Sequence, residues 1–137
     1  MRYSLFDGQR DIMILIARVL LMSLFVLSGW GKLTGFEGTV GYMTSLGAPA
    51  PMLAAAIAVL MELVVGILLI LGFYTRPLAF LFALFVLGTA LLGHPFWNMV
   101  DPERSANMTQ FLKNLSIMGG LLVLAVCGPG RFSVDGR

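Results

Sequence analysis

The stretch DIMILIARVLLMSLFVLSGWGKL, residues 11–33, decides what kind of molecule this is. It is long and apolar enough to cross a bilayer, whose hydrocarbon core takes about 20 consecutive apolar residues of helix. Yet Arg18 stands seven residues into it, and Lys32 stands fourteen residues beyond Arg18. A cation at the centre of a membrane helix costs at least about 2.5–3.5 kcal/mol on insertion scales, so it faces the inside of a bundle and finds a partner there. A charged first span therefore implies a second helix to pack against it.

The rest of the chain agrees. Of its 137 residues, 58% are hydrophobic and only 12% charged, where soluble domains run at about 45–50% and about 25%. The mean hydropathy is +0.92. Residues 1–137 read as a single transmembrane domain. The net charge of +2 does not point to nucleic acid, because the basic residues sit at the ends of apolar runs and form no basic face. The single cysteine, Cys127, allows no disulfide framework and no Cys-x-x-Cys pair, and reads as a structural thiol. Arg2 and Arg10 ahead of an apolar stretch would suit a signal peptide. Arg18 interrupts that stretch and no small-x-small cleavage site precedes Trp30, so the first segment is expected to stay in the mature protein.

Four spans are expected, at about 11–31, 52–73, 77–93 and 111–127. The second is MLAAAIAVLMELVVGILLILGF. The third opens with Pro77, a favourable first-turn residue. The fourth stops at CGPG, where Gly128 and Pro129 end it. Between spans one and two, Phe36, Val40, Met43 and Leu46 have helical spacing. They suit either a short amphipathic piece in the interface or a plain re-entrant or surface loop. The fold class is all-α, an integral membrane four-helix bundle with a short interfacial segment between helices 1 and 2. Arg2, Arg10, Arg76, Arg131 and Arg137 fall on the side of the termini, against Lys32, Arg104 and Lys113 on the other. That bias places both termini in the cytoplasm.

Glu62 is the one acid within these spans. At 1.5 Å per residue, Arg18 lies roughly 10 Å from the start of span one and Glu62 roughly 16 Å from the end of span two. That difference is within reach of an arginine side chain, so an Arg18–Glu62 ion pair is expected. Ala58, Glu62 and Gly66 form a small-xxx-Glu-xxx-small stripe that admits a neighbouring backbone. The competing picture has Arg18 reaching to the cytoplasmic surface and a protonated Glu62 bonded to a carbonyl.

A second cluster lies toward the outer face. Arg18, Phe25 and Lys32 share one face of span one, with Lys32 at its outer end. His94 ends span three, Trp97 and Asn98 follow, and Lys113 and Asn114 open span four. Three helix ends would thus bring two cations, an imidazole, amides and indoles to one level, as a polar funnel for a carbonyl-bearing or anionic small ligand. A quinone head group would fit, with Lys or His donating to its oxygens. The blander alternative makes Lys32 and Lys113 interfacial side chains and His94 a cap. One histidine cannot hold a haem from both sides, and His94 and Cys127 at opposite faces make no metal site.

Arg18, SGWGKL at 28–33, SLGAPAP at 45–51, Glu62 with Gly66, LGFYTRP at 71–77, His94 and KNLSIMGG at 113–120 occur in an order and spacing that resembles the DoxX family of small bacterial membrane proteins. The resemblance covers about residues 12–130 and is nearest to the inner-membrane branch of enterobacterial type. It implies a four-helix protein of the bacterial inner membrane. Relatives are described as membrane subunits of thiosulfate:quinone oxidoreductases, as oxidoreductases linked to quinone or catechol stress, and as membrane partners of soluble redox enzymes. By carry-over, Arg18, Lys32, Glu62, His94 and Lys113 are the positions to watch.

Two functions follow as expectations. In the first, the chain is a redox-linked module in the lipid bilayer. It binds a quinone through Lys32, His94, Trp97, Lys113 and Asn114, with Glu62 as a proton acceptor and Arg18–Glu62 as the floor. It needs no metal or covalent cofactor, and if it is catalytic at all it is an oxidoreductase subunit working with a soluble or membrane redox partner. In the second, it is a non-catalytic scaffold or assembly subunit, in which the charges specify helix pairing and the loops 34–50 and 94–110 dock another protein; either form is compatible with a homo-oligomer.

Overall fold

The computed structural model of the chain describes residues 5–136, so Arg2 and Arg137, counted above with the terminal side, lie outside the described residues. After a single 3-10 turn at Asp7–Gln9, the chain forms α1 (Arg10–Thr34) and a short α2 (Phe36–Ser45). Then follow α3 (Pro51–Leu71), α4 (Thr75–Gly93), a 3-10 turn at Phe96–Asn98, and α5 (Glu103–Cys127). All four long helices are apolar and long enough to cross a membrane. Helices α1 and α3 pack as one antiparallel pair and α4 and α5 as another, while α2 lies on α3. Below, the "terminal end" is where α1 begins and α5 stops, and the "loop end" is where α2 lies.

The inward stripe of α1 is Arg18, Met22, Phe25 and Gly29, a helical repeat of three and four residues. Phe25 meets Phe82 of α4 edge-on at 4.8 Å between ring centroids, within a core that also buries Met61, Leu69, Val86 and Leu121. A second, smaller core forms where α2 lays Met43 on Ala55 and Ala58, with Phe36, Val40 and Leu46 at its edge. The segment between spans one and two is therefore the amphipathic helix, not the plain loop. Leu20, Leu27 and Val126 point outward at 69%, 72% and 75% exposure. Such apolar exposure suits lipid, not water.

Two boundaries depart from the hydropathy reading. Helix α5 begins at Glu103, eight residues before the apolar run at 111, because Asp101 holds its first turn by accepting the Ser105 N–H at 3.1 Å. Hydropathy marks depth in lipid; capping marks where a helix starts. The Ser105 hydroxyl, and after it the Ser105 N–H, hold the Asp101 carboxyl below the usual carboxylate range. Helix α4 begins at Thr75, ahead of Pro77, because Asp135 from the C-terminal tail accepts the N–H groups of Tyr74 and Thr75, both at 2.9 Å.

That tail is the feature least visible beforehand. After Cys127 the chain turns back across the terminal end. Val134 N–H donates to Leu71 O and Asp135 N–H to Gly72 O, each at 2.9 Å, which satisfies carbonyls at the C-terminus of α3. Gly72 has φ +76° and no room for a Cβ, since Ser133 and the Arg18 guanidinium press against it. Replacing Asp135 by Ala removes both acceptors at the α4 N-terminus and should lower stability by about 1–2 kcal/mol. Equilibrium unfolding in detergent micelles checks this, and an unchanged midpoint would show that the tail does not hold α4.

Candidate functional site

The site is set by how closely two helices approach. A Cβ on Gly29 of α1 would lie 2.6 Å from the Leu63 amide nitrogen and 3.0 Å from the Glu62 carbonyl carbon. Only glycine permits that contact. One turn farther toward the terminal end, Gly66 of α3 faces Val26 in the same way, with a Cβ there falling 3.1 Å from the Val26 side chain. At this crossing α3 widens from α to π geometry over Leu60–Val65, and Glu62 sits in the widened turn. Single π turns insert an extra residue into a helix and commonly mark functional positions.

Lys32 lies three residues beyond Gly29, almost one turn of α1 toward the loop end. Its Nζ is 2.9 Å from Glu62 Oε2 and 3.0 Å from Oε1, and it donates to Ser28 Oγ at 2.7 Å. Of the three ammonium protons, one points to Ser28 and one is shared between the two carboxylate oxygens, which lie too close together to take a proton each. The Glu62 side chain is 8% exposed and that of Lys32 27%, so the acid is the buried member and the base its lid.

The expected Arg18–Glu62 pair is not formed; Lys32 takes Glu62 instead. Arg18 lies eleven residues from Gly29, roughly 16 Å along α1, too far for any side chain to span. The reckoning from span ends placed the two helix ends at one level. In the fold α1 overhangs the end of α3, so Arg18 is level with Ile70 and Gly72. The Arg18 guanidinium donates to Ile70 O at 2.8 Å and to Phe132 O in the tail. The countercharge it feels is the Asp135 carboxylate. At 1% exposure it does not reach the surface either, because the tail covers it.

Above the Lys32–Glu62 pair is a cavity of about 150 Å³. Tyr42 and Met43 of α2 form part of its wall, with Ala58 and Glu62 of α3, Thr89 and His94 of α4, and Lys32. His94 Nδ1 is 2.8 Å from Asn107 Oδ1, and the Asn107 amide donates to Glu103 O at 3.0 Å. With an oxygen facing it, Nδ1 of a neutral imidazole carries the proton, which leaves Nε2 as an acceptor. Lys32, Glu62 and His94 thus share one small polar chamber among α1, α2, α3 and α4.

The other expected members lie elsewhere. Because α5 starts at Glu103, Lys113 and Asn114 stand roughly 15 Å along that helix and line no part of the chamber. Lys113 is exposed and Asn114 half-buried. Trp97 joins an aromatic cluster with Phe96 and Phe111, at 5.3 and 5.6 Å between centroids, and is 47% exposed. Asn107 is the α5 residue that meets His94. Tyr42, Thr89, Ser28 and Asn107 were not anticipated. Of these only Ser28 had a signal in the sequence, its four-residue spacing from Lys32.

The family model described as DoxX matches residues 13–95, more than half of the chain. Inner membrane protein YphA of Escherichia coli (strain K12) is 51% identical over 137 residues, covering 100% of this chain and 98% of its own. Inner membrane protein YqjF of the same organism is 42% identical over 125 residues, 91% of each chain. A Bacillus subtilis (strain 168) protein named "Putative oxidoreductase CatD" is 36% identical over 85 residues, 60% of this chain and 62% of its own. No solved structure matches the chain.

The pairing can be tested by a double-mutant cycle. Lys32→Met leaves Glu62 buried without its countercharge and should cost about 3 kcal/mol, most of it recovered in Lys32→Met/Glu62→Met. Arg18→Gln and Glu62→Gln should instead add to within about 0.5 kcal/mol. Unfolding free energies of the single and double variants decide it. Coupling between Arg18 and Glu62, or none between Lys32 and Glu62, would contradict the geometry.

Proposed function

The chain belongs to the DoxX family, and from that membership we propose a redox-linked membrane module that binds the ring of a quinone, or a similar carbonyl-bearing molecule, in the chamber above Lys32 and Glu62. The observation that carries this reading is a buried carboxylate paired with a half-buried ammonium, and an imidazole, all on one cavity of the bundle and placed at a π turn. Ionisable groups within a membrane bundle are costly and usually functional. A cavity of about 150 Å³ is below the usual range of about 300–1,000 Å³ for drug-sized ligands, so it suits a single ring.

Within this reading Lys32 donates to a ligand oxygen, and His94 Nε2 accepts from a ligand hydroxyl. Glu62, beside Lys32, is the proton acceptor. Electrons come from a soluble or membrane redox partner. The name carried by the Bacillus subtilis relative supports a redox setting. Both termini lie in the cytoplasm, with Arg10, Arg76 and Arg131 on that side of the inner membrane.

One observation favours the scaffold instead: Lys32 is already engaged within the chain, by Glu62 and by Ser28. His94→Ala separates the two, because it alters the chamber and spares the pair. In native-lipid particles analysed by mass spectrometry, the wild type should carry a stoichiometric quinone-class molecule that His94→Ala loses at unchanged thermal stability. Bulk lipid alone in both samples, or equal retention in both, would reject the ligand site and leave the scaffold.

A further inference from the structure

At the terminal half of the bundle, on the side away from the chamber, α1 and α5 part and leave an open groove of about 860 Å³. Its walls are apolar: Ala17, Leu20 and Leu21 from α1, and Val123 and Leu124 from α5. Three charged residues line it, Asp7 and Arg10 at the mouth and Arg18 in the floor, so the basic charge outnumbers the acidic. The groove ends where the helices meet again, with the Leu21 side chain 3.5 Å from where a Gly120 Cβ would stand.

Its length identifies what fills it. From Arg10 to Leu21 is eleven residues, roughly 16 Å of helix. Half of a hydrocarbon core of about 30 Å is about 15 Å. The groove therefore runs the depth of one leaflet and stops at the midplane. A membrane-crossing helix from another chain needs a seam twice as long, and the Leu21–Gly120 contact closes it. A single-ring molecule would leave most of the volume empty. An acyl chain fits in both length and chemistry.

The mouth selects the head group. The Arg10 side chain is 57% exposed and stands 3.6 Å from Asp11. It donates to Cys127 O only at 3.4 Å. Of its five N–H donors, most remain available at the level where lipid phosphates lie. Behind the wall, Arg18 Nε is buried and has no acceptor among the described residues.

We propose that this groove is a binding site for an anionic phospholipid of the leaflet at the terminal end, with an acyl chain between α1 and α5 and its phosphate on Arg10. The site stands apart from the chamber and does not depend on the ligand there. In bilayer discs made from equal parts phosphatidylglycerol and phosphatidylethanolamine, native mass spectrometry of the whole protein reads which lipid is retained. Phosphatidylglycerol should be enriched over its share of the bilayer. Arg10→Gln should cut that enrichment about fivefold, as the loss of one basic side chain near a lipid surface implies. Ala17→Phe fills the groove and should remove the retained lipid of either kind, while Leu27→Phe on the outward face of α1 should not. Equal retention in wild type and Arg10→Gln overturns the head-group assignment. Undiminished lipid in Ala17→Phe overturns the groove itself, and so does a dimer that dissociates in that variant. Gly120→Leu, which blocks the groove from α5, gives the same reading should Ala17→Phe not fold.

Discussion

The approach of Gly29 to the Glu62–Leu63 backbone governs the molecule. It sets the register of α1 against α3, and every charge inside the bundle takes its partner from that register. With the two helices in contact at Gly29, Lys32 is the cation within reach of Glu62, and Arg18 is carried past the end of α3. Any larger residue at 29 would push α3 away or slide it, drawing Glu62 from Lys32 and Ile70 from Arg18. The π turn belongs to the same constraint. It opens α3 where α1 presses closest and leaves the Glu62 carboxylate facing Lys32 and the chamber.

The two ends of the bundle meet their electrostatic demands differently. The loop end uses a formal ion pair. The terminal end, where α3 and α5 finish, presents unpaired helix carbonyls, and arginines answer them. Arg18 reaches Ile70 O at the close of α3, and Arg76 reaches Val126 O and Cys127 O at the close of α5, where Arg10 also binds Cys127 O. Cations at helix C-termini interact favourably with both the orphan carbonyls and the helix dipole. The arginines at this end thus close helix ends, so those residues would be needed whichever way the protein were inserted.

Much of the fold was legible because it follows from local patterns. Four apolar runs gave four spans, the seven-residue spacing of Arg18, Phe25 and Lys32 gave one face of α1, and the spacing of Phe36, Val40 and Met43 allowed α2 beside a plain loop. The pairing of charges was not legible, because it depends on the relative height of two helices. Hydropathy edges do not fix that height: the reckoning put Arg18 beside Glu62, and in the fold about three turns of α1 separate them. The glycine that fixes the height was in plain sight at Gly29, but a glycine in a membrane helix does not say which neighbour it admits. The tail was hidden for another reason. Its bonds to Leu71, Gly72, Tyr74 and Arg18 join residues far apart in sequence through backbone atoms, which leave no mark in residue type beyond Asp135 itself. Lys113 and Asn114 were misplaced because α5 begins in polar sequence, where a cap and not hydropathy sets the start.

The chamber and the pair beneath it share one side chain. Lys32 lines the cavity and is held by Glu62 and Ser28. A group that drew Lys32 away would leave a carboxylate only 8% exposed without its countercharge, and an unpaired charge is costly in such surroundings. The pair therefore fixes register only while it stays closed. The short helix α2, by walling the cavity with Tyr42 and Met43, sets this pair apart from an ion pair packed shut on all sides.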